Sequence, residues 1–432
     1  MHIFFSGIGG TGIGPLALIA KQAGYEVSGS DKQDSQYISY LRSHGIEDIH
    51  IGQTKEAIAE AHAKKPIDWY VYSSSVAIEN PNHPELSFVR SKGVKNTKRD
   101  ELLNEIIRKK SLKLVAVAGT HGKSTTTAML IWIFKELGLP VSYSVGAKIG
   151  FGEMGQYEKG SEYFLYECDE FDRNFLAFSP YLSLITGVAW DHHEVFPTFE
   201  NYQDAFKEFV DQSNDTVIWS EDAGLLGVSA GSDTQVIHKD DPRVSGVTLA
   251  GSVNRQNAWE VVVAVESLTH EPLDKLVAII NRFPGLDRRM EQIVPNLYSD
   301  YAHNPEKIVG AMQTALEMAK EKSQQVVVIY EPLTNRRMHF TREQHRDVFN
   351  GASQLYWVPS YLAREDPAQP VLSPEELIRS LSPEMQERAQ PMKLDEELKK
   401  TIYEHVQAGD LVVAMSGGGG NSLDEWLRKE FK

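Results

Sequence analysis

A single cysteine, Cys168, in 432 residues leaves no partner for an intramolecular disulfide, and a reducing, cytoplasmic setting is expected. No apolar stretch approaches the roughly 20 residues that a bilayer helix needs. The opening Met1-His2-Ile3-Phe4-Phe5 reads as a first strand, not as a signal peptide. Positive charge is also short: 44 Lys and Arg against 60 Asp and Glu give a formal net charge of −16. That balance argues against a nucleic-acid or membrane partner, so any polyanionic ligand must be held by local loops and helix ends. Low-complexity tracts and internal repeats are lacking. What is present, 41% hydrophobic and 24% charged residues, is the composition of a soluble globular protein. Its length suits two to four domains.

The segment Val115-Ala116-Val117-Ala118-Gly119-Thr120-His121-Gly122-Lys123-Ser124-Thr125 predicts chemistry most directly. It reads as a buried strand, a glycine turn, and a helix opened by a lysine and two hydroxyls. Glycines let backbone N–H groups approach phosphate oxygens, and a helix N-terminus favours negative charge. Lys123 supplies a compact cation, and Ser124 or Thr125 offers a hydroxyl to Mg²⁺. Ala128, Met129, Ile131, Trp132, Ile133, Phe134 and Leu137 give the following helix an apolar load suited to a sheet. A nucleoside triphosphate is the expected ligand. The general triphosphate-loop pattern wants a glycine five positions before Gly122, where this chain has Val117; the shorter form here is Gly-Thr-x-Gly-Lys-Ser/Thr.

Along the chain, strand and helix signals alternate as in parallel α/β sheets. His2–Ser6 is a predicted strand, followed by the turn Gly7-Ile8-Gly9-Gly10-Thr11-Gly12 and a helix through Leu16–Ala23. Tyr25–Ser30 is a second strand ending at Asp31, and Trp69–Ser73 a third leading into Ser74-Ser75. Glycines after the first strand and an acid after the second copy a dinucleotide-binding layout. A ligand-free αβ crossover explains the same residues. The polar, basic segment 92–113 carries one amphipathic helix and a boundary near residue 109. Further strands are predicted at Tyr163–Glu167, Leu182–Thr186, Thr216–Ser220, Val326–Tyr330, Leu355–Val358 and Leu411–Met415. Arg282-Phe283-Pro284-Gly285 supplies the second boundary. The expectation is three α/β domains over 1–109, 110–283 and 284–432: Rossmann-like, triphosphate-binding with a parallel sheet, and Rossmann-like.

Strand Tyr163–Tyr166 ends in Glu167-Cys168-Asp169-Glu170-Phe171-Asp172. Acids at the carboxyl end of a parallel strand, in the same unit as a phosphate loop, suit a Mg²⁺ ligand. Strand Leu182–Ile185 is soon followed by Trp190-Asp191-His192-His193-Glu194. Each cluster alone also reads as a solvated strand end; together with the loop they make the set that a metal–triphosphate site requires.

The order GTHGKST, ECDEFD, DHH, NRQNA, FPGLDRRME and SDYAHNP resembles the Mur ligases from end to end, with the C-terminal third the weaker part. GIGGTG and the strand end at Asp31 resemble the branch acting directly on UDP-N-acetylmuramate. The resemblance implies an ATP- and Mg²⁺-dependent amide ligase of peptidoglycan precursor synthesis. Such an enzyme joins L-alanine to the lactyl carboxylate of UDP-N-acetylmuramate through an acyl phosphate. The implied alternative attaches a preformed murein tripeptide to the same acceptor, and the Trp190–Phe196 stretch leans towards it. An NAD-dependent oxidoreductase, read from the first glycine turn alone, leaves the loop at residue 120 without a role. A monomer or weak homodimer is expected.

By resemblance, Gly119, Thr120, His121, Gly122, Lys123, Ser124 and Thr125 bind ATP, with Lys123 on its phosphates. Lys123, Glu167 and His192 form the implied catalytic set, and Ser124, Glu167 and His192 the implied metal ligands. Asn257, at the start of a helix, Arg289, Asp300 and His303 are further implied nucleotide contacts. Gly7, Gly9, Gly10, Thr11, Gly12, Asp31, Ser73, Ser74 and Ser75 fall on positions for the uridine diphosphate sugar. Val253 stands where the family usually has a histidine. Lys207 lies where some members carry a carbamylated lysine, but Phe206-Lys207-Glu208 on an amphipathic helix reads as a solvated face.

Overall fold

The computed structural model describes every residue except 11, 74, 75, 77–79, 81, 191–194, 363, 364, 366 and 367, and only the backbone of Gln36 and Glu306. It is an α/β protein with three sheets, each mostly parallel. Contacts group the chain into two compact units: 1–248 with 256–283, and 249–255 with 284–432. Among the described residues no helix is long and apolar enough to cross a membrane.

The first unit carries two sheets. One is ordered β3-β2-β1-β4-β5, from β1 (His2–Ser6), β2 (Glu26–Asp31), β3 (Ile49–Ile51), β4 (Trp69–Tyr72) and β5 (Lys95–Lys98). The chain leaves β1 first to one side and later to the other, so the turn after β1 lies at the point where strand order reverses, the usual ligand crevice of open α/β sheets. The other sheet is ordered β12-β11-β10-β6-β9-β7-β8. Its strands are β6 (Lys113–Ala118), β7 (Ser142–Ser144), β8 (Gly155–Gln156), β9 (Tyr163–Glu167), β10 (Leu182–Ile185), β11 (Asp215–Trp219) and β12 (Thr234–Ile237). All its pairings are parallel except β7 with β8.

β5 corrects the sequence reading of 92–113, which held one helix and no strand. Its residues, Lys-Asn-Thr-Lys, bury only Thr97, as an edge strand does. The helix follows as Arg99–Lys109. One apolar cluster runs from Ile3 and Phe5 through Leu102 and Ile106 to Phe164, Phe206 and Ile218, so the two sheets share a core. Polar ties join them as well: Tyr157 N–H donates to Gln22 Oε1 at 2.7 Å, and Lys98 Nζ to Asp172 Oδ2 at 2.5 Å.

The second unit holds one sheet ordered β13-β14-β18-β15-β16-β17. Its strands are β13 (Glu291–Val294), β14 (Leu297–Asp300), β15 (Val326–Glu331), β16 (Gln354–Trp357), β17 (Ala389–Pro391) and β18 (Leu411–Ser416). Only β13 pairs antiparallel. Separate apolar clusters cover its two faces, one around Tyr330, Phe349 and Trp357 and one around Ile329, Val412 and Leu427.

Candidate active site

Strand β6 is fully apolar from Leu114 to Ala118 and lies between β10 and β9, so its carboxyl end opens between two parallel neighbours. Register sets Val117 beside Glu167 and Ala118 beside Ile185. The loop, the acidic strand end and the chain after β10 therefore meet at one edge, although up to 67 residues separate them in sequence.

Gly119 and Gly122 turn the loop with φ of 144° and 84°. A side chain at Gly119 would meet Thr186 Oγ1 at 2.3 Å, and one at Gly122 would meet the Asn257 amide at 3.0 Å. Thr120 N–H donates to Gly187 O (2.9 Å), its hydroxyl to Ala189 O (2.7 Å), and Thr186 Oγ1 donates to His121 O. Helix Lys123–Glu136 begins at once, with Gly122 as its cap and no capping side chain. The leading N–H groups of a helix have no intrahelical acceptor. Those of Lys123, Ser124 and Thr125 are thus placed to receive an anion.

The side chains of the loop are paired with acids. Lys123 Nζ donates to Gly119 O at 2.6 Å and to Glu170 Oε2 at 2.7 Å. Ser124 Oγ donates to Glu167 Oε1 at 2.8 Å, and Gly146 N–H to Glu167 Oε2 at 2.7 Å. Glu170 is fully buried; burial raises its pKa, and the Lys123 ammonium opposes the rise. Just beyond it, Asp172 and Arg173 both take φ of 55°, a left-handed pair at the rim of the site. Glu170 was missed in the sequence, where its place among four acids in six residues gives no sign of which one meets the lysine.

Ser124 and Glu167 bring hydroxyl and carboxylate oxygens together, the hard donors that Mg²⁺ takes alongside phosphate oxygens and water. Among the described residues no cluster of three or more His, Cys, Asp or Glu is arranged to hold a metal. His192 lies outside the described residues, as do Thr11, Ser74 and Ser75. Asn257 is buried, a turn and a half inside helix Ser252–Thr269 and not at its start as the sequence suggested. Lys207 is exposed on helix Phe199–Asp211, the solvated position expected of it.

In the first sheet, Gly7 turns with φ of 75° and Gly9 N–H donates to Asp31 Oδ2 at 2.8 Å. Gly10 and Gly12 follow in the same turn, and Ser73 follows β4. Asp31 therefore closes on the glycine turn itself.

The second unit gathers Arg289, Asp300 and His303 by a different route. Asp300, at the end of β14, is buried and accepts N–H bonds from Met290 (2.9 Å) and Ala302 (2.8 Å). Burial raises its pKa against the pull of Arg289. His303 Nδ1 donates to Tyr301 O at 2.7 Å; burial, then the charge of Lys307, pushes its pKa down to about 4. It packs so close to β18's glycine run that a Cβ on Gly417 would lie 2.7 Å from its own. Arg288 turns inward, donating to Gly418 O (2.9 Å) and to Ser416 O, while Arg289 is exposed.

Residues 2–111 match the Mur ligase family, catalytic domain, and residues 117–240 the Mur ligase middle domain. The UDP-N-acetylmuramate–L-alanine ligase of Nocardioides sp. is 30% identical over 433 residues, spanning 96% of this chain and 93% of that protein. That of Rickettsia felis is 26% identical over 465 residues, spanning 98% and 94%. The crystal structure of UDP-N-acetylmuramate–alanine ligase MurC from Thermotoga maritima superposes with a TM-score of 0.73 at 23% identity, covering 100% of this chain and 98% of that one. A murein peptide ligase from Psychrobacter arcticus gives 0.63 at 22% identity, covering 99% of each.

Proposed function

Because this chain belongs to the Mur ligase family, we infer that it is an ATP-dependent ligase joining L-alanine to the lactyl carboxylate of UDP-N-acetylmuramate. The observation that carries the reading is the meeting of Lys123, Ser124 and Glu167 at the carboxyl edge of β6.

Amide formation from a carboxylate in water is uphill until its oxygen becomes a good leaving group. In this reading the lactyl carboxylate attacks the γ-phosphate, ADP leaves, and the amine of alanine then displaces phosphate from the acyl phosphate. Two anions must meet in the first step, so charge neutralisation and alignment carry the catalysis. Lys123 and the amides of Lys123, Ser124 and Thr125 neutralise and align the phosphates, and Glu170 keeps the Lys123 ammonium in the loop. Asn257, against Gly122, supports the loop from helix Ser252–Thr269. Ser124 and Glu167, with His192 as the third proposed ligand, would hold Mg²⁺, which would supply further positive charge to the phosphates. Arg289, Asp300 and His303 stand as proposed nucleotide contacts of the second unit. Gly7 to Gly12, Asp31 and Ser73 to Ser75 stand as proposed contacts of the sugar nucleotide.

The murein peptide ligase of similar fold keeps one other amine donor in view, a preformed tripeptide attached to the same acceptor. Phosphate release with ATP and UDP-N-acetylmuramate is expected with L-alanine. Release with the tripeptide alone reassigns the amine donor, and no release with either overturns the reading.

A further inference from the structure

Among its described residues, the glycine turn after β1 leaves only the Gly12 amide without an acceptor in the protein, fewer than the ATP loop does. Gly7 and Ile8 N–H donate to Ser30 O at 2.8 and 3.0 Å, and Gly9 N–H to Asp31 Oδ2 at 2.8 Å. Gly10 N–H donates to Gly7 O at 3.0 Å, and Ile13 and Gly14 N–H to Gly10 O at 3.2 and 2.9 Å. Six described amides of the turn are thus already bonded within the protein. The Asp31 carboxylate against the turn adds negative charge, which repels a diphosphate. In a chain of net charge −16, a diphosphate here needs a cation brought in from another element.

Arg99, the first residue of the helix after β5, is that cation. Its guanidinium occupies the space that a side chain on Gly12 would fill: Nη1 lies 2.2 Å from the position of a Cβ there. The surrounding acids do not use up its donors. Asp100 Oδ1 is 3.5 Å from Nε, and Asp169 Oδ2 is 3.9 Å from Nη2, ion-pair separations too long for good hydrogen bonds. These two acids hold the planar group on the turn. Asp169 also ties it to the strand end that carries Glu167.

We propose that Arg99, seated over Gly12, is the cationic contact for the diphosphate of the sugar nucleotide. The inference rests on the ligase reading and names a residue for the same substrate. Glycine at position 12 is then a requirement of the arginine, since any Cβ would push the guanidinium off the turn.

Calorimetric titration of the whole protein with UDP-N-acetylglucosamine, which has the diphosphate but no lactyl carboxylate, and with UDP-N-acetylmuramate separates the possibilities. Arg99→Ala is expected to weaken both by the same factor, about 10- to 100-fold, the range of one charge-assisted hydrogen-bonded contact. Affinity for ATP should not change. Arg99→Lys keeps the charge but not the planar fork, so it should recover part of the loss. Gly12→Ala should reproduce the loss, and adding it to Arg99→Ala should cost little more. A loss confined to UDP-N-acetylmuramate would move Arg99 to the lactyl carboxylate and overturn the proposal. So would unchanged affinities, or losses that follow thermal stability and extend equally to ATP. Wild-type protein that binds neither sugar nucleotide refutes the ligase reading instead.

Discussion

Two glycine turns in the first unit look alike in sequence and differ in what they leave free. Each follows a buried central strand and precedes a helix. In the turn after β1, hydrogen bonds to Ser30, Asp31 and neighbouring carbonyls satisfy six of the described amides and leave that of Gly12 open. In the loop after β6, Gly122 ends the turn and the first amides of the helix point outward without acceptors. The second is built to receive phosphate through its backbone; the first is a rigid shelf that needs a side chain to supply charge. Glycine content therefore marks where backbone can come close to a ligand, while the hydrogen-bond partners decide whether that backbone does the binding.

The largest break in the comparison comes from Lys123. Lys123→Ala should lower phosphate release on the order of 10³-fold, near the top of the range for one preorganised electrostatic group, in a protein that still folds but melts lower because buried Glu170 loses its partner. A variant with wild-type turnover would take the loop out of the reaction. Gly119→Ala comes next. The new Cβ meets Thr186 Oγ1 at 2.3 Å in a left-handed backbone, so activity should fall at least tenfold and stability by roughly 1–3 kcal/mol. Gly7→Ala offers the matched control. Its φ is also positive but nothing lies within 4 Å of the added carbon, so it should cost stability and bear on the sugar nucleotide while leaving ATP affinity unchanged. If Gly7→Ala proved the more damaging to ATP affinity, the two turns would have exchanged roles.

Glu170→Gln sharpens the contrast on the side-chain level. It keeps an acceptor for Lys123 while removing a buried charge near the triphosphate. KM for ATP should fall a few-fold and kcat by about tenfold, a split that steady-state kinetics reads directly. Equal losses in kcat and kcat/KM would mean that Glu170 acts only in the transition state.

The smallest effect lies in the second unit. His303 is neutral when folded down to pH of about 4, whereas an unfolded histidine protonates near 6.5. Above 6.5 both states are neutral and the residue contributes nothing. As pH falls from 6.5 towards 4, the unfolded chain takes up a proton that the folded one excludes, and stability declines. His303→Asn should flatten that decline by on the order of 1–2 kcal/mol at pH 5. Urea unfolding at pH 7 and pH 5 measures it, and identical slopes in the two proteins would refute it.

Sequence alone placed β6, β9 and β10 to within about two residues, because Val115–Ala118, Tyr163–Tyr166 and Leu182–Ile185 are apolar runs cut off by glycine or acid. It missed β5, whose Lys-Asn-Thr-Lys carries no apolar signal and is a strand only because β4 lies beside it. It started helix Ser252–Thr269 too late, since Ser252, Asn254, Arg255 and Gln256 show no periodicity. In the site, Lys123, Ser124 and Glu167 were legible from residue type and order. Glu170 and Arg99 were not, because their meaning is a partner: 47 residues separate Glu170 from Lys123, and Arg99 is opposite Gly12 only once β5 has been laid down.

The apolar core common to the first two sheets bears on how such a chain is inherited. Gly155 rests against Pro15, where an added carbon would come within 2.8 Å of the proline ring, and Asn104 donates to Ala177 O at 2.6 Å. A recombination that swapped residues 1–109 for those of a cousin would strand apolar surface on both fragments unless Pro15, Gly155 and their neighbours arrived together. The shared core thus makes the two sheets one packing unit, in which a change on one side of the seam must be matched on the other.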